Sequence, residues 1–103
     1  MRDTLAHLEA TIRARRTADP STSYVARLTA AGRAKIAQKV GEEAVETVIA
    51  ALSETPEKLT AEAADLVFHL LVLLADAGLS LADVEAELAR REGLSGLEEK
   101  ANR

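Results

Sequence analysis

Two acidic segments carry the residue types and spacings best suited to chemistry. The first holds Glu42, Glu43 and Glu46, and the second holds Glu62 and Asp65. Carboxylates three or four positions apart share one face of a helix. Two such faces brought together repel each other unless a cation lies between them. We therefore predict a divalent metal site that carries a phosphate substrate.

The available ligand types favour a hard cation. The chain has no Cys and only two His residues, and an all-carboxylate site is typical of Mg²⁺ or Mn²⁺ rather than Zn²⁺. A di-iron bundle is the rival interpretation, but it requires Glu-x-x-His motifs on its helices. The sequence instead has Asp65 followed four positions on by His69. We interpret His69 as a buried residue beside Asp65 and His7 as a surface residue.

The first acidic segment, taken alone, is also compatible with an ordinary solvated helix face. Its three glutamates are flanked by Lys35 and Lys39, and such charge pairs support exposed helices. The second segment favours a site, because Glu62 and Asp65 interrupt an otherwise apolar helix. A charge in apolar surroundings needs a partner.

Basic residues are needed to offset the charge of a phosphate substrate. We predict this role for three lysines and two arginines. They are Lys35, Lys39, Arg33, Arg13 and Lys58. The alternative for Arg13 is that it complements the dipole at the end of the first helix.

The composition describes a small helical domain. The 103 residues predict one domain, 1–103, and 48% apolar with only 2% aromatic residues favours a core of Ala, Leu and Val on packed helices. A net charge of −4 gives no general attraction to nucleic acid or anionic membranes. The most apolar window, residues 66–75, is too short to span a bilayer. We therefore expect a cytoplasmic protein.

Five helices must position the acidic segments. Periodicity and turn residues predict helices at about 4–16, from Ser21 or Ser23 to 30, at 33–52, at 56–77 and from 81 onward, with residues 93–103 as a frayed tail. The predicted caps are Asp3 or Thr4, Ser21 or Ser23, Thr55 and Ser80. The short connection between the third and fourth helices favours an antiparallel pair, which places both acidic segments at similar heights.

Two further positions have alternative interpretations. Gly41, inside the third helix, either allows close approach of a neighbour or ligand or is a tolerated cost of about 1 kcal/mol. Tyr24, the one tyrosine, is interpreted as a packing residue with a wet hydroxyl, the alternative being a substrate hydrogen bond.

Three runs of sequence carry a family resemblance. They are Ser23-Tyr24-Val25-Ala26-Arg27-Leu28, then the run from Gly32 through Lys39-Val40-Gly41-Glu42-Glu43 to Glu46, then Glu62-Ala63-Ala64-Asp65-Leu66-Val67-Phe68-His69-Leu70 and on to Leu74. Together they resemble the phosphoribosyl-ATP pyrophosphatases of histidine biosynthesis, within the MazG-like all-α nucleoside triphosphate pyrophosphatases. The shared Glu-x-x-Glu and Glu-x-x-Asp pattern of that superfamily falls on Glu43, Glu46, Glu62 and Asp65.

The resemblance implies an activity and an assembly. The activity is Mg²⁺-dependent hydrolysis of 1-(5-phosphoribosyl)-ATP to 1-(5-phosphoribosyl)-AMP and pyrophosphate. The fold implied is a small all-α bundle of about five helices, completed by homodimerisation, which agrees with the wide apolar arc of the third helix and the apolar fourth helix. Val25 and Phe68 depart from the usual Thr and Tyr, which puts a hydroxyl contact there in doubt.

The site residues take their roles from this reading. Glu43, Glu46, Glu62 and Asp65 are the predicted Mg²⁺ ligands, and Glu42, Glu43 and Glu46 are the candidate catalytic residues. Glu42 is either a ligand or the base that orients water. The rival functions are a housecleaning pyrophosphatase of free nucleoside triphosphates and a non-catalytic helical dimerisation module.

Overall fold

Five α-helices account for most of the chain. The computed structural model describes residues 3–93 and residue 96, and it contains no strand among them. The helices are α1 (Thr4–Arg15), α2 (Tyr24–Ala31), α3 (Arg33–Ser53), α4 (Pro56–Asp76) and α5 (Leu81–Arg90). This confirms the all-α prediction, and the predicted helix ends at 16, 30, 52 and 77 each differ by one residue from the observed ends. The predicted frayed tail lies outside the described residues, apart from Gly93 and Gly96.

Side-chain caps explain where four of these helices begin. The capping oxygens accept hydrogen bonds from backbone N–H groups three positions on, which would otherwise lack partners. The caps are Asp3, Ser23, Thr55 and Ser80, and Asp83 completes a capping box with Ser80. The exception is α3, which follows α2 directly through Gly32, whose φ of 102° favours glycine.

The two longest helices form an antiparallel hairpin. Only Glu54 and Thr55 separate α3 from α4, and Arg33 at the start of α3 bonds to Asp76 at the end of α4. The buried core lies at the open end of this hairpin, where α1 and α2 pack against it. Its members are Ile12, Val25, Leu28, Ile36, Leu71 and Val72.

The other half of the hairpin, towards its turn, has a different surface. Apolar side chains on α3 are exposed there, including Val45, Val48, Ile49 and Leu52, with Leu52 82% exposed. The fourth helix, which is mostly apolar, buries Leu71 and Val72 at the core end. In the same half of the helix, Val67 and Leu70 are partly exposed.

Ion pairs fasten the core end of the hairpin to its neighbours. Asp76 accepts hydrogen bonds from Arg16 at 3.3 Å and from Arg33 at 2.9 Å. Arg13 donates to the backbone carbonyl of Leu79 at 3.2 Å. The end of α4 is therefore held by side chains from both α1 and α3.

Within the described part of the chain, no individual helix combines the length and apolar character needed to cross a membrane. The α4 and α5 segments reach that composition only when taken together, and they are bent by 101°.

Candidate metal centre

The hairpin brings together three of the predicted carboxylates. Glu43 on α3 and Glu62 and Asp65 on α4 each offer one oxygen, and these oxygens lie within 4.8 Å of one another. Glu43 points towards α4 because it lies seven positions from both Ile36 and Ala50, which are also buried on that face. Seven residues are about two helical turns, so the three side chains line one face.

Two of the three carboxylates are buried and each has one oxygen atom without a partner. Glu43 and Glu62 are only 8% and 7% exposed. The Oε2 atom of each is buried and has no hydrogen-bond partner among the described residues. An unpaired buried carboxylate is costly. A cation between these oxygens removes both the repulsion and the missing bonds, so the donor set fits a hard divalent ion such as Mg²⁺ or Mn²⁺.

Glu46 lies at the edge of this group. Its side chain is exposed, yet contacts with Glu62 first and Glu43 second raise the pKa of Glu46 to about 7. A carboxyl group that shares a proton with neighbouring carboxylates behaves in this way. Conversely, the pKa of Glu62 is lowered, chiefly by the Lys58 ammonium and then by the proton of Glu46.

Glu42 stands apart from the buried carboxylates. It is exposed, accepts a hydrogen bond from the side-chain amide of Gln38 at 2.9 Å and pairs with Lys39 at 3.2 Å. These two contacts, Gln38 first, lower the pKa of Glu42 below its ordinary value. Glu42 is therefore held as an anion beside the group rather than within it. The part played by Gln38 was not predicted, although its spacing of four from Glu42 is typical of such pairs.

Three of the five predicted cations lie near the carboxylates. Lys58 pairs with Glu62 at 3.2 Å, Lys39 pairs with Glu42, and Lys35 helps to lower the pKa of Glu42. An open cleft of about 430 Å³ adjoins the group on the side nearer the hairpin turn. Its lining residues are Glu46, Ile49, Glu54, Lys58 and Glu62. The cleft offers room for a polyphosphate beside the carboxylates.

The structure places the two predicted arginines elsewhere. Arg33 is bonded to Asp76, and Arg13 is bonded to Leu79. Asp76 follows Asp65 by eleven residues on the same helix, a rise of about 16 Å. These arginines fasten the core end of the hairpin and are not brought together with the acidic group.

His69 supports the group from within the core. It is 6% exposed, with Nδ1 at 2.7 Å from the carbonyl oxygen of Asp65 and Nε2 at 2.8 Å from the hydroxyl of Tyr24. Both ring nitrogens are thus engaged, as the prediction of a buried histidine beside Asp65 requires. The bond to Tyr24 spans 45 residues, so no local sequence signal could reveal it.

Comparison with known proteins finds a match to one protein family. Residues 5–92 match the family model described as phosphoribosyl-ATP pyrophosphohydrolase. A phosphoribosyl-ATP pyrophosphatase of Rhizorhabdus wittichii is 68% identical over 103 residues, covering 100% of this chain and 97% of the relative. Similar proteins of the same name occur in Erythrobacter litoralis, 67% identical over 98% of this chain and 97% of the relative, and in Zymomonas mobilis, 60% identical over 98% and 94%.

Proposed function

The chain belongs to the phosphoribosyl-ATP pyrophosphohydrolase family, and from this premise we propose that it hydrolyses phosphoribosyl-ATP to phosphoribosyl-AMP and pyrophosphate at the acidic group of the α3–α4 hairpin. This is the second step of histidine biosynthesis, and it would take place in the cytoplasm. The observation that carries the site assignment is the pair of buried, unpaired oxygens on Glu43 and Glu62. They lie beside a cleft large enough for a polyphosphate.

The positions of the carboxylates suit them to different roles. Glu43, Glu62 and Asp65 converge closely enough to hold one Mg²⁺ ion. Glu46 can bind the same ion after it has lost the proton that it shares with the neighbouring carboxylates. When bound, the ion neutralises phosphate oxygens and lowers the pKa of a coordinated water. Glu42, ionised and at the edge of the group, orients the attacking water.

Three lysines neutralise charge on either side of the carboxylates. Lys58 lines the cleft and contacts Glu62, which suits it to the departing pyrophosphate. Lys39 stands on the opposite side, where it pairs with Glu42. Lys35, one turn further along α3, extends this positive edge.

Pyrophosphate release from phosphoribosyl-ATP tests the activity. We expect release from the wild-type protein with Mg²⁺ and none with a chelator. Glu62→Gln should lower turnover by more than about a hundredfold, since outer partners of metal ligands alone cost 10–100-fold. The matched control is Glu85→Gln, which makes the same change on an exposed residue of α5. Equal loss in both variants, or faster turnover of ATP and dUTP than of phosphoribosyl-ATP, would contradict the proposal.

We further propose that a second copy of the chain covers the exposed side of α3. A series of residues lies opposite the face that packs on α4, at alternating steps of four and three. It consists of Ala34, Gln38, Gly41, Val45, Val48 and Leu52. This alternation is the signature of helices that pack in coiled-coil fashion. Val45, Val48 and Leu52 are 59%, 57% and 82% exposed in the single chain.

The series is complementary to itself in the antiparallel direction. If two copies of α3 pack antiparallel with their midpoints side by side, Ala34 faces Leu52 and Gly41 faces Val45 of the other copy. Small residues then oppose large ones in these two pairs, as close packing requires, and Gln38 faces Val48. The parallel arrangement would instead place Gly41 against its own counterpart and leave a void.

Engineered cysteines can test both the dimer and its direction, because the chain has no cysteine of its own. The pair Ala34→Cys with Leu52→Cys should form a disulfide between chains. Leu52→Cys alone should not, because its two copies would lie about 27 Å apart, beyond disulfide reach. Ready cross-linking of Leu52→Cys alone would indicate a parallel contact. A wild-type mass of 11.0 kDa in solution, rather than twice that value, would exclude the dimer.

A further inference from the structure

The few aromatic side chains of this protein lie together beside the acidic group. The chain contains one Tyr and one Phe. The rings of Tyr24 and Phe68 are stacked, with centroids 6.1 Å apart and planes inclined by 21°. The ring of His69 meets both of them edge-on, at 5.6 and 5.2 Å. We call these three residues the aromatic cluster.

Tyr24 is held rigidly although it is not buried. Its side chain belongs to a residue that is 42% exposed, whereas His69 is only 6% exposed. A backbone carbonyl can only accept a hydrogen bond, so Nδ1 of His69 donates its proton to Asp65. When the imidazole is neutral, Nε2 of His69 then accepts the hydroxyl proton of Tyr24. A buried polar group thus fixes the orientation of an exposed ring.

The aromatic cluster and the cleft lie on opposite sides of the carboxylates. Phe68 and His69 follow Asp65 by three and four residues, so they lie one turn further from the hairpin turn on the same face of α4. Lys39 stands nearby. Glu42 raises the pKa of Lys39 most, and Tyr24 is the next contributor. The cleft beside Lys58 lies on the other side, towards the hairpin turn.

We propose that the exposed ring of Tyr24 stacks on the purine base of the nucleotide substrate, while the triphosphate crosses the carboxylates towards the cleft beside Lys58. The proposal rests on the proposed function, because it assumes a nucleotide substrate. It adds a base-binding surface and a direction for the substrate. Aromatic faces stack on every base, and the Tyr24 hydroxyl is already engaged by His69. The surface therefore detects the presence of a base rather than its identity.

Calorimetry with Mg²⁺ can separate base binding from phosphate binding without turnover. The probes are ATP, GTP and inorganic tripolyphosphate, of which only the last lacks a base. We expect Tyr24→Leu to weaken ATP and GTP binding alike, by roughly fivefold to a hundredfold, the range for one lost stack of base on aromatic ring. Tripolyphosphate binding should stay within about twofold of wild type. Tyr24→Phe, which keeps the ring and loses the hydroxyl, is the matched control and should show a smaller loss for the two nucleotides.

The results distinguish this proposal from a structural role of Tyr24. Equal weakening of all three probes by Tyr24→Leu would show that the residue only maintains the site, and unchanged binding of all three would show that the base lies elsewhere. Either result would overturn the proposal. Failure of the wild-type protein to release pyrophosphate from phosphoribosyl-ATP would instead overturn the proposed function, since the probe comparison does not depend on turnover. In steady-state assays, Tyr24→Leu should raise KM and leave kcat nearly unchanged, the signature of lost uniform binding.

Discussion

Glu43 and Glu62 each bury a carboxylate oxygen that has no hydrogen-bond partner among the described residues. These residues favour metal binding at the cost of stability in the metal-free protein. We therefore expect Glu43→Gln to stabilise the metal-free protein by about 1 kcal/mol, because the new amide can donate to a neighbouring carboxylate. Urea unfolding with a chelator present measures this change.

The same variant should be nearly inactive. Addition of Mg²⁺ should stabilise the wild-type protein and have little effect on Glu43→Gln. A variant that is less stable than wild type in the chelator, and equally stabilised by Mg²⁺, would argue against Glu43 as a ligand. Higher stability without metal combined with lost activity distinguishes the loss of a ligand from general damage to the fold.

Glu46 links metal binding to pH. Its pKa is raised to about 7 by its carboxylate neighbours, and a metal must displace the shared proton before Glu46 can coordinate it. We expect the affinity for Mg²⁺ to rise as the pH increases from about 5 to above 7. Calorimetry in buffers of different ionisation enthalpy should detect proton release at pH 6. Glu46→Gln should abolish that release, and an unchanged release in this variant would assign the proton elsewhere.

The raised pKa also affects the stability of the metal-free protein. Because the folded pKa of Glu46 lies above its ordinary value of 4.5, this group stabilises the fold fully below pH 4.5. The contribution is lost as the pH rises through 7. Glu62, with a lowered pKa, acts in the opposite sense, and its contribution is lost on acidification below pH 4.5. The decline between pH 5 and 8 should therefore belong to Glu46, and Glu46→Gln should remove it.

At the scale of single residues, spacing predicted the acidic group but not its surroundings. Glu62 and Asp65 were identifiable because they interrupt an apolar helix, whereas Glu43 belonged to a segment that by itself was also compatible with a solvated face. Two hydrogen bonds could not be predicted in this way. Tyr24 and His69 are 45 residues apart, and Arg33 and Asp76 are 43 residues apart. Such contacts depend on how the helices pack, which the spacing of residues within one segment does not predict.

The third helix carries a glycine with no structural requirement inside its own chain. A Cβ atom at Gly41 would meet nothing within 4 Å. In an isolated chain, Gly41→Ala should stabilise α3 by up to about 1 kcal/mol through helix propensity. In the proposed dimer the added methyl group would separate two helices that approach closely, and association should weaken. Sedimentation and unfolding over a range of protein concentrations distinguish these results.

A second substitution on the same helix provides the comparison for Gly41→Ala. Ala37 is exposed on α3 but lies outside the proposed contact series. Ala37→Gly should reduce helix stability by about 1 kcal/mol and leave the association constant unchanged. Stabilisation by Gly41→Ala without any loss of association would place the contact on another surface.

Helices were the most predictable level of this protein. Capping residues predicted the starts of α4 and α5 and gave two candidates each for α1 and α2, because Asp, Ser and Thr satisfy backbone donors locally. The apolar arc of α3 was visible too. Its division into a face buried on α4, with Ile36 and Ala50, and an exposed face, with Val48 and Leu52, was not. That division depends on where the neighbouring helices end.

At the scale of the whole molecule, Asp76 joins three helices. Its pKa is lowered below 3.8, first by Arg33 and then by Arg16. A lowered pKa means that the pair stabilises the fold above that pH and that the contribution is lost as the pH falls below it. Because Arg33 is largely exposed, we expect Asp76→Ala to cost only about 1 kcal/mol at neutral pH.

Asp76→Ala also tests how far the two ends of the hairpin are independent. Mg²⁺ affinity should be unchanged, since Asp65 lies about 16 Å away along α4. Urea unfolding at pH 7 and pH 3 should show the stability difference from wild type shrinking on acidification. A large loss of Mg²⁺ affinity would show instead that Asp76 controls the acidic group.

The core and the acidic group occupy different levels of one hairpin. The core residues Ile36, Leu71 and Val72 lie near the open end, whereas the carboxylates lie near the middle, one turn beyond His69, which Tyr24 of α2 contacts. Segments with few packed neighbours open more often than the core does. Backbone amides near Ile49 and Leu59 should therefore exchange with deuterium sooner than those near Leu71. Mg²⁺ together with nucleotide should slow that exchange. Binding at the acidic group, rather than core packing, would then determine how often the hairpin opens near its turn.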